Sequence, residues 1–152
     1  MTDLILQFCT EPKIGSAIIR WGTHCPYSHV DGLLPDGSLL GARTGWLTTY
    51  GEGVRVRPPN YTTFSAIAHR SYPVDAEKAI AVAMTYVGDP YSWQEDAGYV
   101  IPWFWKHVVP KSYNCSAFWA HVIRKCGVDP FLAPLPSVSP RDLFYSPLAQ
   151  GA

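Results

Sequence analysis

The sequence has no excess of either charge and no long hydrophobic run. Twelve Lys and Arg residues balance twelve Asp and Glu residues, and charged residues make up only 16% of the chain. A nucleic acid or a membrane as an obligatory partner needs a basic surface, which this balance does not predict.

The apolar runs are far shorter than the ~20 residues that cross a bilayer. The first residues also lack the basic segment and apolar stretch of a secretory signal, so we expect a cytoplasmic protein, with lysis or a phage particle as routes of release.

Cysteine is scarce, and the spacing of a metal site is missing. The four cysteines form no C-x-x-C pair, which argues against both a disulfide framework and a zinc site. His24, Cys25 and His29 lie close together but match no standard ligand spacing. We therefore expect no metal and no cofactor. Cys9, Cys25 and Cys126 are expected to be small buried hydrophobic residues.

The elements that are present predict one α+β domain over residues 1–152. The chain is 47% apolar and 14% aromatic, a composition typical of a globular domain of this length. The Asp36-Gly37 pair between two apolar runs predicts a hairpin. A proline-rich tail from about residue 128 is expected to wrap the body as extended chain. Strands are predicted at 4–8, 29–34, 38–42, 54–57 and 64–69, and helices at 14–21, 76–87 and 115–126.

Cys115 is the candidate nucleophile. Asn114 is a favoured N-cap, so Cys115 opens a helix. Unpaired N–H groups at a helix N-terminus favour a thiolate with a pKa below the ~8.5 of free cysteine, and they can also stabilise an oxyanion. Cys115 also begins an apolar stripe with Trp119 and Val122, so the alternative is that it is a residue of the core.

His29 is the candidate general base. It follows Pro26-Tyr27-Ser28 at the start of a predicted strand, where a side chain is held rigidly. The other histidines are in a loop, in an irregular aromatic segment, on another strand or on the helix away from the Cys115 stripe; they are His24, His107, His69 and His121.

Three stretches resemble a known family. The segment 27–37 (YSHVDGLLPDG) resembles the histidine strand of circularly permuted NlpC/P60 enzymes, 113–119 (YNCSAFW) resembles their cysteine helix, and 86–91 (YVGDPY) resembles the segment that often precedes that helix. The resemblance implies a papain-like fold, in which an antiparallel sheet or small barrel packs against the helix that holds the nucleophile. It also implies that the thiol attacks an amide or ester carbonyl and forms an acyl-enzyme.

The sequence departs from the family at the residue that orients the histidine. The family usually has a polar side chain on the strand after the histidine, and the corresponding position here falls near Gly41. Asp31 shares a strand face with His29 and is a possible substitute. Tyr27 is a candidate helper of the oxyanion, by analogy with a tyrosine near the nucleophile of the unpermuted enzymes.

Aromatic residues before the cysteine helix are candidates for a substrate groove. Trp103, Trp105 and Tyr113 could bind an acyl chain, a sugar or a peptide, and the alternative is that the tryptophans fill the core. Four arginines are expected to be solvated strand residues with no polyanion-binding role: Arg43, Arg55, Arg57 and Arg70.

Three functions follow as expectations. The first is a cysteine amidase or endopeptidase that cleaves peptide stems of the bacterial cell wall. The second is a lipid-directed acyltransferase or thioesterase. The third is a non-catalytic binding or structural module, which the missing side chain at Gly41 would suit. The expected partner is thus a peptide- or acyl-containing substrate.

Overall fold

The computed structural model describes residues 2–45, 49–130 and 134–152. Six antiparallel strands form one sheet, in the order β4-β3-β2-β1-β5-β6. The predicted α+β class is confirmed. The strands are β1 (Asp3–Thr10), β2 (His29–Leu33), β3 (Leu39–Arg43), β4 (Gly53–Arg57), β5 (Ala66–Asp75) and β6 (Gln150–Gly151). The helices are α1 (Ile14–Thr23), α2 (Ala76–Met84), α3 (Trp93–Gly98), α4 (Cys115–Lys125) and α5 (Pro140–Phe144), with 3₁₀ turns at Pro102–His107 and Leu135–Ser137.

Helix α4 packs directly on the centre of the sheet. Trp119 is fully buried, and its ring covers Gly32 of β2 so closely that a Cβ there would overlap it. The indole Nε1 donates a hydrogen bond to the Leu40 carbonyl oxygen of β3 at 3.2 Å. Alternating residues of β1, including Leu6 and Phe8, have their side chains in this core. The packing fixes the N-terminus of α4 beside β2.

The start of α4 confirms the prediction from sequence. Asn114 is the N-cap, and its side-chain oxygen accepts a hydrogen bond from the Ala117 N–H at 2.8 Å. Cys115 is the first residue of the helix. At the other end, Gly127 follows the helix with a φ of +91°, a conformation that favours glycine. These signals are local, which is why the sequence locates both ends of the helix.

Two segments contain more helix than expected. The irregular stretch 91–113 includes α3, and the tail includes α5 where extended chain was predicted. In the tail, Ser139 and Asp142 form a capping box: the Ser139 side chain accepts from the Asp142 N–H, and the Asp142 carboxylate accepts from the Ser139 N–H. With Pro140 at the first helical position, this box overrides the extended tendency of the proline-rich tail.

Within 2–45, 49–130 and 134–152, none of the helices combines the length and the apolar character needed to span a membrane.

Candidate active site

His29 and Asp31 lie next to each other on one face of β2. His29 is the first residue of the strand and Asp31 is two residues further on, so their side chains point to the same side. Nε2 of His29 lies 3.0 Å from Oδ2 of Asp31, and both side chains are buried. The two atoms are at hydrogen-bond distance but not in hydrogen-bond alignment, so the interaction is a short electrostatic contact.

Because Gly41 has no side chain, the Asp31 carboxylate can occupy the space beside it. The pairing of Gly32 with Leu40, continued by one residue, places Asp31 opposite Gly41 on β3. A Cβ at position 41 would lie 2.1 Å from Asp31 Oδ1. The position where the family resemblance predicts an orienting side chain is therefore filled by a carboxylate from the histidine's own strand.

A buried chain of polar groups holds Asp31. The Tyr61 hydroxyl donates a hydrogen bond to Asp31 Oδ2 at 2.8 Å, and Arg43 Nη1 donates to the Tyr61 hydroxyl at 2.7 Å. The other side of the Arg43 guanidinium forms an ion pair with Glu11. Each of these polar side chains has a hydrogen-bond or ion-pair partner within the network. The network can therefore carry charges although it is buried away from water.

The expectation that Arg43 and Arg57 are solvated is wrong. Both are almost completely buried, at 2% and 1% exposure. Arg43 is compensated by Glu11, and Arg57 donates hydrogen bonds to the carbonyl oxygens of Gly41, Gly51 and Gly53. The alternation of apolar and basic residues in β4 does not reveal the burial of Arg57, because its acceptors lie on β3, in the loop before β4 and at the start of β4.

The charges around His29 favour an ionised Asp31 beside a neutral imidazole. Burial raises the pKa of Asp31, but His29, Arg43 and the Tyr61 hydroxyl outweigh burial and lower it to about 2. Burial lowers the pKa of His29 below its ordinary 6.5, opposed in part by the Asp31 charge. At neutral pH the imidazole is therefore uncharged and available as a proton acceptor.

Cys115 is buried where α4 meets β2, at 3% exposure. Burial raises the pKa of its thiol and the charge of Asp96 raises it further, while a hydrogen bond from the Val30 backbone lowers it. The expectation of a thiol pKa below that of free cysteine is therefore wrong, because burial outweighs the hydrogen bond that lowers the pKa. Because the thiol and the His29 imidazole are both neutral, a proton must leave the sulfur when the thiol reacts as a nucleophile.

An acidic network that sequence reasoning missed adjoins the thiol. The Asp96 carboxylate accepts hydrogen bonds from the Tyr91 hydroxyl and from Asn114 Nδ2, the latter at 3.1 Å. Burial raises the pKa of Asp96 to about 6. Burial also raises the pKa of the neighbouring Glu95 to about 8, opposed by the Asn114 backbone N–H that it accepts at 2.6 Å. The one feature of the sequence that could have predicted this network is the pair of adjacent acidic residues, Glu95 and Asp96, in a segment rich in aromatic residues.

A cavity of about 260 Å³ lies between His29 and Asp96. Its walls come from α1, from the start of β2, from the end of β3 and from α3, and they combine aliphatic side chains with the charged groups of the site. The lining residues are Glu11, Gly15, Ser16, Ile18, Ile19, Ser28, His29, Arg43, Thr44, Tyr91, Asp96, Ala97 and Val100.

The three aromatic groove candidates are not among these lining residues. Trp103 is exposed, and its ring centroid lies 3.8 Å from that of His107. Trp105 donates a hydrogen bond to the Glu95 carbonyl oxygen at 3.1 Å and covers α3. Tyr113 stacks on His121 with centroids 5.3 Å apart. The wall that does face His29 includes aliphatic residues of α1 instead.

Tyr27 is placed among aromatic rings. Its centroid lies 4.7 Å from that of Phe144 and 6.3 Å from that of Phe8. The first N–H groups of α4, those of Cys115 and Ser116, have no acceptor within the helix and are the more direct candidates for binding an oxyanion. A role for Tyr27 at the oxyanion stays a prediction.

The remaining cysteines occupy ordinary positions. Cys9 and Cys25 are buried as expected, whereas Cys126 at the end of α4 is only half-buried, and all are free thiols. Among the residues that the structure describes, no three His, Cys, Asp or Glu side chains are grouped so as to hold a metal ion.

Comparison with solved structures finds a likeness over nearly the whole chain. The chain is similar in structure to the metalloprotein yiiX from Escherichia coli O157:H7, described as a DUF1105 protein, with a TM-score of 0.64. The alignment covers 99% of this chain and 96% of that one, at 16% sequence identity. This likeness shows the fold alone. No family model matches the sequence, and no curated protein matches it.

Proposed function

We propose that the chain is a thiol-dependent hydrolase of the circularly permuted, papain-like kind, which works through an acyl-enzyme. Cys115 is the nucleophile, His29 the general base and Asp31 the residue that orients His29. The observation that supports this best is the 3.0 Å contact between His29 Nε2 and Asp31 Oδ2, in the space that Gly41 leaves. Because Nε2 lies beside Asp31, the proposal assigns proton transfer to the other ring nitrogen, Nδ1.

The proposed reaction has two stages. In the first, His29 takes the Cys115 proton as the sulfur bonds to the substrate carbonyl carbon. The protonated imidazole then gives that proton to the leaving amine or alcohol, and the bond to the leaving group breaks. In the second stage, His29 takes a proton from water as the water oxygen bonds to the thioester carbon. The carbon–sulfur bond then breaks, the acid is released, and the protonated imidazole returns the proton to the sulfur. The N–H groups at the start of α4 stabilise the oxyanion in both stages.

The first candidate substrate is a peptide amide, as in the stems of the bacterial cell wall. The lining of the cavity beside His29 includes polar groups, among them Arg43, Glu11 and Asp96. Such groups suit the carbonyl, carboxylate and amine groups of a peptide.

The second candidate substrate is a fatty acyl ester or thioester. The cavity lining also includes aliphatic residues of α1, of α3 and of the segment just after α3, namely Ile18, Ile19, Ala97 and Val100. A methylene chain would gain from leaving water along these residues.

The motivation for a non-catalytic module is weaker than the sequence suggests. It depended on the absence of a side chain at Gly41, whereas the carboxylate of Asp31 occupies the space at that position. His29 and Asp31 belong to β2, and Cys115 is the first residue of α4.

The test compares the wild-type chain with Cys115→Ala, His29→Ala and the matched control Cys126→Ala. Each is incubated with purified peptidoglycan and, separately, with phospholipid and with an acyl thioester, and products are identified by mass spectrometry. We expect turnover in one arm, lost in Cys115→Ala and His29→Ala and retained in Cys126→Ala. Turnover that survives Cys115→Ala would overturn the proposal, and so would an absence of turnover in all three arms.

A further inference from the structure

Helix α1 presents its apolar side to solvent. Ile14, Ile18 and Trp21 recur at helical spacing and are 82%, 51% and 70% exposed. The residues that α1 buries include Ser16 and Thr23, which are small and polar. A surface helix normally packs the other way round, with its apolar side on the core. The apolar face of α1 is therefore available to something outside the described chain.

The chain after α3 continues this apolar surface. Gly22 of α1 lies against Tyr99 and Val100, so the two segments are neighbours. Val100, Ile101 and Trp103 are 44%, 52% and 56% exposed. The two elements also share the cavity beside His29, which Ile18 and Val100 both line. Exposed apolar side chains on two neighbouring segments mark an interaction site.

The charge of this surface has one sign. The sequence has no Asp or Glu from 12 to 30 or from 97 to 128, although the whole chain is neutral. Lys13, Lys106 and Lys111 are exposed within these segments. Glu11 and Glu95, which adjoin the segments, are 2% exposed. Glu11 is paired with Arg43 and also lies 3.8 Å from Lys13 Nζ, so the cationic character of the surface comes mainly from Lys106 and Lys111. The chain therefore has a local cationic surface although its total charge is balanced.

We propose that this face, formed by 13–24 and 99–111, docks on the surface of an anionic lipid bilayer. Exposed Ile, Val and Trp side chains would enter the boundary between headgroups and acyl chains, and the lysines would meet the lipid phosphates. Docking of this kind would open the cavity beside His29 toward the membrane. The inference does not depend on the proposed hydrolase, because binding needs no chemistry at Cys115.

A second copy of the chain fits this face less well. A two-fold contact places the same patch on both sides of the interface. Lysines of the two copies would then share an interface with no exposed acidic residue from 12–30 or 97–128 to compensate them. An anionic surface supplies the opposite charge as well as an apolar interior.

The test is co-sedimentation with vesicles of phosphatidylcholine mixed with phosphatidylglycerol, against vesicles of phosphatidylcholine alone. The variants are Ile14→Ser, Ile18→Ser and Lys106→Gln. The matched control is Met84→Ser, at a position 46% exposed on α2 and outside the face. Circular dichroism establishes that each variant is folded. Analytical ultracentrifugation without lipid reports self-association.

We expect the wild-type chain and Met84→Ser to bind the anionic vesicles, and each isoleucine variant to bind about tenfold more weakly because one buried aliphatic side chain is lost. Lys106→Gln should reduce binding to anionic vesicles, and added salt should do the same. Equal binding by Ile18→Ser, or no binding to anionic vesicles, would overturn the proposal. So would a dimer in the absence of lipid that Ile18→Ser dissociates, because the face would then be an interface between copies.

Discussion

A methyl group at position 41 should disable the site without touching any of its reactive residues. The Cβ of Gly41→Ala would lie 2.1 Å from Asp31 Oδ1, whereas real Cβ contacts are essentially never below 3.0 Å. The carboxylate must therefore retreat by about 0.9 Å, and its other oxygen is held by Tyr61. A misplacement of about 1 Å in a catalytic group can cost on the order of 100-fold in rate. We expect a loss of that size in kcat/KM.

The assay is release of nitrophenolate from p-nitrophenyl acetate at neutral pH. Urea unfolding is measured alongside, because overpacking of this kind costs about 1–3 kcal/mol. The matched control is Gly151→Ala on β6, where an added Cβ meets nothing within 4 Å. It should leave both the rate and the stability unchanged.

A double-mutant cycle separates the proposed cause from general damage. If Gly41→Ala acts by moving Asp31, it should cost nothing further in an Asp31→Ala background, because the group that it displaces is already gone. A wild-type rate in Gly41→Ala would refute the reasoning. An equal loss in both backgrounds would refute it as well.

Three further predictions concern the thiol, the acidic network and the tail. Asp96→Asn should lower the pKa of Cys115, seen as faster alkylation by iodoacetamide at neutral pH, because the Asp96 charge opposes the thiolate; Asp36→Asn, in the exposed β2–β3 turn, is the control. Above the pKa of about 6 at which Asp96 titrates, wild-type stability to urea should fall up to about pH 8 by up to about 1.4 kcal/mol per pH unit, because the folded chain holds a proton on Glu95 that the unfolded chain has released. Glu95→Gln should remove this pH dependence, and a slope unchanged by Glu95→Gln would contradict the assignment. Ser139→Ala should cost about 0.5–2 kcal/mol of stability because the cap of α5 is lost; an unchanged urea midpoint would show that the capping box contributes nothing.

Sequence reasoning located the parts of the site that depend on local signals. Asn114 caps α4 through a contact three residues away, so the position of Cys115 follows from the sequence. The start of β2 at His29 follows equally from the hairpin around Asp36-Gly37. Both kinds of signal act over a few residues.

The remaining features depend on contacts that are distant in sequence. That Asp31 occupies the space at Gly41 follows from the register between β2 and β3, which places the two opposite each other. The burial of Arg43 follows from its partners Glu11 and Tyr61, which belong to separate segments. Hydrophobic periodicity identified the apolar stripe of α1, but periodicity alone does not say whether a stripe faces the core or the solvent.

The central claim is that Cys115 attacks carbonyl groups with the help of His29. The most direct measurement is to mix the chain briefly with p-nitrophenyl acetate at neutral pH, quench it in acid and locate acetyl groups by peptide mass spectrometry, in the wild-type chain and in His29→Ala. The account predicts an acetylated Cys115 in the wild-type chain, ahead of the more accessible Cys126, and little or none in His29→Ala. Acetylation of Cys126 ahead of Cys115, or equal labelling of Cys115 with and without His29, would contradict it.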